Sequence, residues 1–420
     1  MPHNRTSATM FRIRPRNRRL LVGFLALCMV RHITAQATPS YNANDHTRTG
    51  IDVLEEQNFA PLRGKRVGLI TNQTGVDFQG RRTTDVLRRA PGVKLEELFS
   101  PEHGILGRAD TVVADGHDAR TGLPVYSLYG PTRRPTPQML ENLDALVFDI
   151  QDAGTRFYTF ITTMAYCLEE AAKRHIPFFV LDRPNPLGGD VIAGPMLDRD
   201  RTSFVGYFPM PVRYAMTLGE LAQMFNAENK IGADLHIIAM KDWHRHETYD
   251  ETGLAWIPPS PNLRTLEAAF LYPGIEILQP AGVSVGRGTE APFELIGAPW
   301  IRANELIGVL NRRKIPGVTF APAQFTPVGD LYSGQLCEGL RINLTDRPSL
   351  DAMRVGIEIT DALHRLNPEQ FHIEKIIDLL GSRVTLERLE RGEPPAQIVA
   401  GWSDDLGKFR TLRERYLLYD

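Results

Sequence analysis

From Gly50 onward the chain alternates short apolar runs with amphipathic stretches, and several runs end abruptly in polar residues. Val67-Gly68-Leu69-Ile70 leads into Thr71-Asn72-Gln73-Thr74-Gly75, and the run at 93–99 leads into Ser100-Pro101-Glu102-His103-Gly104. Ala145-Leu146-Val147-Phe148 leads into Asp149-Ile150-Gln151-Asp152, and Phe178-Phe179-Val180-Leu181 into Asp182-Arg183-Pro184-Asn185-Pro186. Short apolar runs bounded by turn formers read as buried strands. Further strands are expected at 123–128 and 235–240. Helices are expected at 83–89, at 162–174, and from Thr136-Pro137, where proline suits the first helical position. Thr217-Leu218-Gly219-Glu220 is a capping-box sequence opening a helix to about 228. This alternation predicts an α/β fold with a doubly wound parallel sheet. Ligands collect at the carboxyl ends of such strands, so Asn72, Glu102, Asp149 and Arg183 mark a polar rim.

Trp256-Ile257-Pro258-Pro259-Ser260-Pro261-Asn262 interrupts the rhythm with three prolines. A domain junction is placed there, dividing a sheet domain at 50–262 from a smaller α+β domain at 263–420 that closes on it. In the second part a glycine-rich loop at 282–288, a strand at 340–344 and a helix at 350–366 are expected.

The N-terminus is of another kind. Arg12, Arg14, Arg16, Arg18 and Arg19 precede an apolar run at 20–30, and Ala35-Gln36-Ala37 supplies a small-residue cleavage pattern. Residues 1–37 therefore read as a secretory signal peptide, with an uncleaved N-terminal anchor as the competing reading. Removing them deletes seven arginines and no acids, which takes the net charge from -2 to about -9. The expectation is an exported protein, periplasmic or extracellular, with no stable membrane insertion after cleavage. An acidic surface argues against nucleic-acid binding. Of the two cysteines left, Cys167 and Cys337, buried thiols are the favoured reading over a disulfide.

Candidate chemistry lies on the rim. Glu102 and His103 sit between Pro101, which stiffens the backbone, and Gly104, which permits a tight turn. A shielded glutamate can act as a general acid near neutral pH, whereas a solvated surface turn is the plain alternative. The stretch 149–158 gathers Asp149, Gln151, Asp152, Arg156 and Tyr158. Carboxylates and amides suit sugar hydroxyls, and a phenol suits a sugar ring; helix capping by Asp152 accounts for only part of the set. Arg183 and Asn185 lie on a proline-stiffened loop, and Arg183 suits a ligand carboxylate or a structural pair with Asp182. Gly282-Val283-Ser284-Val285-Gly286 matches a nucleophile elbow but is followed by loop-forming residues, where that motif requires a helix. A loop presenting Arg287 and Glu290 to the cleft is the better reading. His244 and His246 lack the spacing of known metal motifs, and no phosphate-binding glycine loop follows the first strand. Neither a metal nor another cofactor is expected.

Together these segments resemble one family. Gly64-Lys65-Arg66-Val67-Gly68-Leu69-Ile70-Thr71-Asn72, Phe99-Ser100-Pro101-Glu102-His103-Gly104 and Gly122-Leu123-Pro124-Val125-Tyr126-Ser127-Leu128-Tyr129-Gly130 carry the likeness. So do Phe148-Asp149-Ile150-Gln151-Asp152, Leu181-Asp182-Arg183-Pro184-Asn185-Pro186, Ser260-Pro261-Asn262 and Ser284-Val285-Gly286-Arg287-Gly288-Thr289. The chain is similar to the NamZ-type exo-β-N-acetylmuramidases from about Gly50 to its C-terminus. A local departure is Gln279-Pro280-Ala281-Gly282-Val283, where many relatives carry Glu-Gly-Thr-Asn-Leu.

The resemblance implies a Rossmann-like domain, a smaller C-terminal domain and a cleft between them. It implies release of N-acetylmuramic acid from non-reducing ends of peptidoglycan fragments, so the expected partners are MurNAc-terminated oligosaccharides. The family's proposed catalytic glutamate falls on Glu102. Asp149, Asp152 or the substrate's own 2-acetamido group are the candidates for the second catalytic group. Asn72, His103, Gln151, Arg156, Tyr158, Arg183, Asn185, Arg287 and Glu290 are candidates for substrate binding. Two competing readings are a non-catalytic muropeptide-binding protein and a serine or metal hydrolase acting on the peptide or acyl parts of the wall.

Overall fold

The computed structural model describes residues 47–420; the N-terminal signal sequence expected at 1–37 lies outside the described residues. In chain order the strands begin with β1 (Arg66–Thr71), β2 (Lys94–Ser100), β3 (Gly116–His117), β4 (Pro124–Ser127), β5 (Ala145–Asp149) and β6 (Phe178–Leu181). A separate antiparallel ribbon, β7 (Ala193–Met196) with β8 (Pro211–Arg213), precedes β9 (Leu235–Ile238). The main sheet runs β3-β4-β2-β1-β5-β6-β9, with every neighbour parallel except β3 against β4. The strand order reverses between β1 and β5, which is the switch point of a doubly wound sheet.

Both faces of the sheet are covered, which is why its strands read as apolar runs rather than as alternating ones. Along β5, Ala145 and Val147 join Ile51, Leu54, Val86 and Leu181 in one core cluster. Leu146 and Phe148 join Phe160, Met164, Leu168 and Phe225 in the other. The period of two sends alternate residues to opposite faces. Helices α1 (Gly50–Glu56) and α2 (Thr83–Arg89) cover the first face, and α3 (Phe160–Lys173) and α4 (Leu218–Glu228) the second. The expected capping box of α4 is present, with Thr217 Oγ1 accepting from Glu220 N and Glu220 Oε2 from Thr217 N. The helix expected from Thr136-Pro137 is a single 3₁₀ turn, Gln138–Leu140, because the chain must enter β5 soon afterwards.

Beyond the proline-rich segment, α5 (Leu266–Ile275), α6 (Ala303–Arg313) and α7 (Ala352–Leu366) pack with a three-stranded antiparallel sheet. That sheet orders β10 (Leu295–Ala298), β12 (Cys337–Leu344) and β11 (Val318–Phe325), with β12 in the centre. Helices α5 and α7 cross at Gly274 and Gly356, where a Cβ on Gly274 would lie 1.7 Å from the Ala352 carbonyl oxygen. The larger core cluster runs without a break from the main sheet into this layer, through Tyr272, Phe293, Leu340 and Phe371. Shorter helices follow to the C-terminus: α8 (Ile377–Leu380), α9 (Arg383–Glu390), α10 (Pro395–Ala400) and α11 (Ser403–Arg413). Cys167 and Cys337 are buried free thiols. Among the described residues, no helix is long and apolar enough to cross a membrane.

Candidate active site

A cavity of about 380 Å³ opens beyond the carboxyl ends of β2 and β4. Its first wall is the turn after β2. His103 and Gly104 both take positive φ, +70° and +74°, so two successive left-handed residues lift Glu102 and His103 out of the sheet. His103 is fixed by Nδ1, 2.7 Å from the Ala109 carbonyl and 3.4 Å from Asp110 Oδ1. The contact of the His103 imidazole with Asp110 is the main reason the Asp110 carboxyl is held below its ordinary range.

Glu102 meets hydroxyls. Thr159 Oγ1 donates to Glu102 Oε2 at 2.5 Å from the N-terminus of α3. On the other side lies Tyr129, just after β4; burial, and then its hydrogen bond with Glu102, push this phenol up to about 12.

The facing wall comes from the C-terminal layer. Tyr272 on α5, Glu276 at the start of a 3₁₀ turn, Arg287 and Phe293 all line the cavity. Arg287 Nη2 donates to Glu276 Oε1 at 2.5 Å, and the guanidinium lies 5.5 Å from the Phe293 ring centroid. Burial raises the Glu276 carboxyl and Arg287 works against that rise. Aromatic rings make the floor: Tyr272 stands edge-on to Phe157 at 5.3 Å, to Tyr158 at 5.9 Å and to Phe293 at 4.9 Å. Burial holds the Tyr158 and Tyr272 phenols well above their ordinary range, so both are neutral hydrogen-bonding groups. The rim carries Arg133 and the segment Ser203-Phe204-Val205.

Of the residues singled out in the sequence, Glu102, His103, Tyr158 and Arg287 meet here. The others are placed elsewhere. Asp149 is fully buried and accepts from Arg183 Nε at 2.5 Å and from the Thr83 hydroxyl. Arg183, 4% exposed, also donates to the Val76 carbonyl, so its guanidinium is consumed inside the fold. Asp152 is bonded by the Tyr214 hydroxyl and the Gly154 N–H; burial, the largest influence, pushes it up to about 6. Arg156, 1% exposed, donates to the carbonyls of Pro195, Met210, Leu379 and Leu380, tying three other backbone segments to its own.

Gln151 donates to the Asp152 and Pro184 carbonyls, and Asn185 donates to the Met216 carbonyl while accepting from Leu187 N. Asn72 closes a small turn with Thr74. The Glu290 side chain is fully exposed and pairs with Arg264. None of these eight lines the cavity.

Ser284 is buried, bridges to Gly297 through its backbone and is not followed by a helix, so the elbow geometry is absent. Gln279, in the segment that departs from the family pattern, donates to Asp330 Oδ2 at 2.8 Å. Sequence reasoning missed Tyr129, Arg133, Thr159, Tyr272, Glu276 and Phe293. For Glu276 a signal was present: one acid inside the otherwise apolar Tyr272-Pro273-Gly274-Ile275-Glu276-Ile277-Leu278 needs a buried partner.

The chain matches two sequence families described as the N-terminal and C-terminal parts of exo-beta-N-acetylmuramidase NamZ, over residues 67–267 and 270–419. It is 43% identical over 413 residues to the peptidoglycan beta-N-acetylmuramidase NamZ of Bacillus subtilis (strain 168), covering 96% of this chain and 100% of that protein. Two crystal structures of DUF1343 family proteins from Bacteroides fragilis share its fold. One has a TM-score of 0.83 at 39% identity, covering 90% of this chain and 100% of its own. The other has a TM-score of 0.73 at 31% identity, covering 89% and 99%. With both halves matched end to end, the chain belongs to the NamZ exo-β-N-acetylmuramidase family.

Proposed function

We propose that this protein is an exo-acting glycoside hydrolase that releases N-acetylmuramic acid from non-reducing ends of peptidoglycan fragments. The observation that carries the reading is Glu102: a carboxyl held between two hydroxyls in a half-enclosed, aromatic-floored cavity of a NamZ family member. A cavity of about 380 Å³ with aromatic rings and a few convergent polar groups suits one or two sugar rings.

Glu102 donates the proton to the leaving glycosidic oxygen, the role glycosidases give to one carboxyl. Glu276 is less suited to that step, because Arg287 binds its charged form and protonation would strand the guanidinium. Instead Glu276 and Asp330, two carboxylates around the single Arg287 guanidinium, leave net negative charge on the facing wall, where positive charge develops at the anomeric carbon. Asp149 and Asp152 are outside the cavity and take no part in this scheme.

Export is part of the proposal. It rests on the basic, apolar and Ala-x-Ala succession at the N-terminus. Protein recovered from the native host should begin near Thr38, and an intact Met1 on cytoplasmic protein would exclude it.

The test of activity is incubation of the protein with a chromogenic β-N-acetylmuramide, with and without a chelator. Chromophore release that survives the chelator is the expected result. Tight binding without release would replace the hydrolase with a muropeptide-binding protein. If Glu276→Gln retains full turnover, the charge at the anomeric carbon is met by the substrate's own acetamido group instead.

A further inference from the structure

N-Acetylmuramic acid differs from N-acetylglucosamine by a lactyl ether that ends in a carboxylate, so a site that prefers it needs a cation with unspent charge. Arg183 and Arg156, the rim arginines suggested by sequence, are enclosed in the fold. Among the described residues two arginines line the cavity, Arg287 and Arg133. Arg287 is bound to Glu276 and has Asp330 Oδ2 3.8 Å from its Nε, so its charge is already balanced. Among the described residues Arg133 has no carboxylate partner; its guanidinium lies 4.2 Å from the Phe204 ring centroid and 5.8 Å from that of Tyr129.

The next residue shows that this arrangement is built. Arg134 donates to Glu169 and Glu170 on α3 and sits 3.7 Å from the Tyr166 ring centroid. Tyr166 in turn contacts Phe204 at 6.0 Å. One arginine is thus spent as an anchor for the segment, while its neighbour lies over the Phe204 ring and, among the described residues, has no hydrogen-bond partner for its N–H groups. Stacking on an aromatic face orients a guanidinium and leaves its in-plane fork free for a carboxylate. Tyr129 touches both Arg133 and Glu102, which ties the cation to the same pocket as the proton donor.

We propose that Arg133 is the residue that selects muramic acid, by binding the lactyl carboxylate of the terminal sugar on a guanidinium that lies over the Phe204 ring. The assignment rests on the hydrolase reading above. A preorganised cation loses little freedom on binding. Each charge-assisted contact to a carboxylate gives about ten- to a hundredfold discrimination.

The experiment compares wild type, Arg133→Ala and Arg133→Lys on a chromogenic β-N-acetylmuramide and the matching glucosaminide. Calorimetric binding of free N-acetylmuramic acid and N-acetylglucosamine accompanies the kinetics. For Arg133→Ala the muramide-to-glucosaminide ratio of kcat/KM should fall about ten- to a hundredfold, chiefly through the KM of the muramide. Affinity for N-acetylmuramic acid should fall in parallel. Arg133→Lys should recover part of both, since it keeps the charge and loses the planar fork. Equal loss on both glycosides, or an unchanged ratio, overturns the assignment while leaving the hydrolase reading intact. Arg133-dependent binding of N-acetylmuramic acid by a wild type that cleaves neither glycoside does the reverse. A wild type that neither binds nor cleaves overturns both.

Discussion

The carboxyl end of the main sheet carries two charged clusters, one sealed and one open. At the switch point between β1 and β5, Asp149 and Arg183 form a buried pair completed by Thr83 and the Val76 carbonyl. Two strands away, beyond β2 and β4, Glu102 faces a cavity and, among the described residues, its carboxyl is met by the hydroxyls of Thr159 and Tyr129. In many doubly wound proteins the switch-point crevice holds the ligand. Here that crevice is filled with the protein's own ion pair, and the space for a ligand has moved to where the C-terminal layer overhangs the sheet. A strand end rich in charge is therefore not by itself an open site; what decides is whether the charges are already spent on one another.

The sharpest way to break this comparison is to alter one acid in each cluster. Glu102→Gln keeps the shape of the side chain and removes the proton donor. Turnover of a chromogenic muramide should fall by about 10²–10⁴-fold, with little change in thermal unfolding. Asp149→Asn should behave in the opposite sense. It leaves the Arg183 guanidinium buried without its counter-charge, which costs about 3–5 kcal/mol of stability, while the folded fraction keeps most of its turnover. Denaturant unfolding beside active-site-normalised kinetics separates the two outcomes. A catalytic loss for Asp149→Asn as deep as that of Glu102→Gln, at unchanged stability, would reunite the clusters into one site.

This division explains how much was legible beforehand. Strands β1, β2, β5 and β6 were visible because strands covered on both faces become continuous apolar runs, and α4 was visible through its capping box. Glu102 and Tyr158 were legible by position, since each follows a strand end. Whether a rim residue is free or spent depends on a partner far along the chain: Asp149 on Arg183, Arg156 on Leu379 and Leu380, Asp182 on Tyr419. Those pairings leave no local periodicity, so sequence assigned Arg183 and Arg156 to substrate. For the same reason the far wall was invisible, because Glu276 reaches Glu102's cavity only through packing of the C-terminal layer. Of the two charged residues that the glycine-rich loop was expected to present to the cleft, Arg287 lines the cavity and Glu290 stands outside it, fully exposed.

A smaller effect separates the sealed acids from the rest through pH. Burial, as the largest cause, pushes Asp152 and Asp182 both up to about 6 from an ordinary value of 3.8. The folded chain therefore holds these protons to higher pH than the unfolded chain does. Their contribution is fully present below about pH 4 and is lost as pH rises through about 6, at up to about 1.4 kcal/mol per pH unit for each group. Asp118 and Asp144, pushed down to about 2 chiefly by their arginine partners, act in the other direction and at lower pH. In Asp152→Asn one of the two declines disappears. Wild-type stability should thus fall relative to the variant between pH 4 and pH 6, measured by urea unfolding at each pH. A difference that stays constant across that interval would mean that Asp152 is ionised throughout.

The finest distinction lies inside the open cluster, between touching the substrate and holding the residue that does. Thr159 precedes α3, but its side chain makes no capping hydrogen bond to the helix. Its hydroxyl is committed to Glu102 Oε2 instead. Valine fills nearly the same volume, so Thr159→Val should leave the helix and its stability almost unchanged while freeing the Glu102 carboxyl to rotate. Loss of one hydrogen bond of this kind corresponds to about tenfold in kcat, with KM for the muramide unaffected. Thr159→Ser restores the oxygen and should restore the rate, which a purely packing role for the threonine methyl would not predict. Wild-type kcat in Thr159→Val would show that Tyr129 alone is enough to aim Glu102.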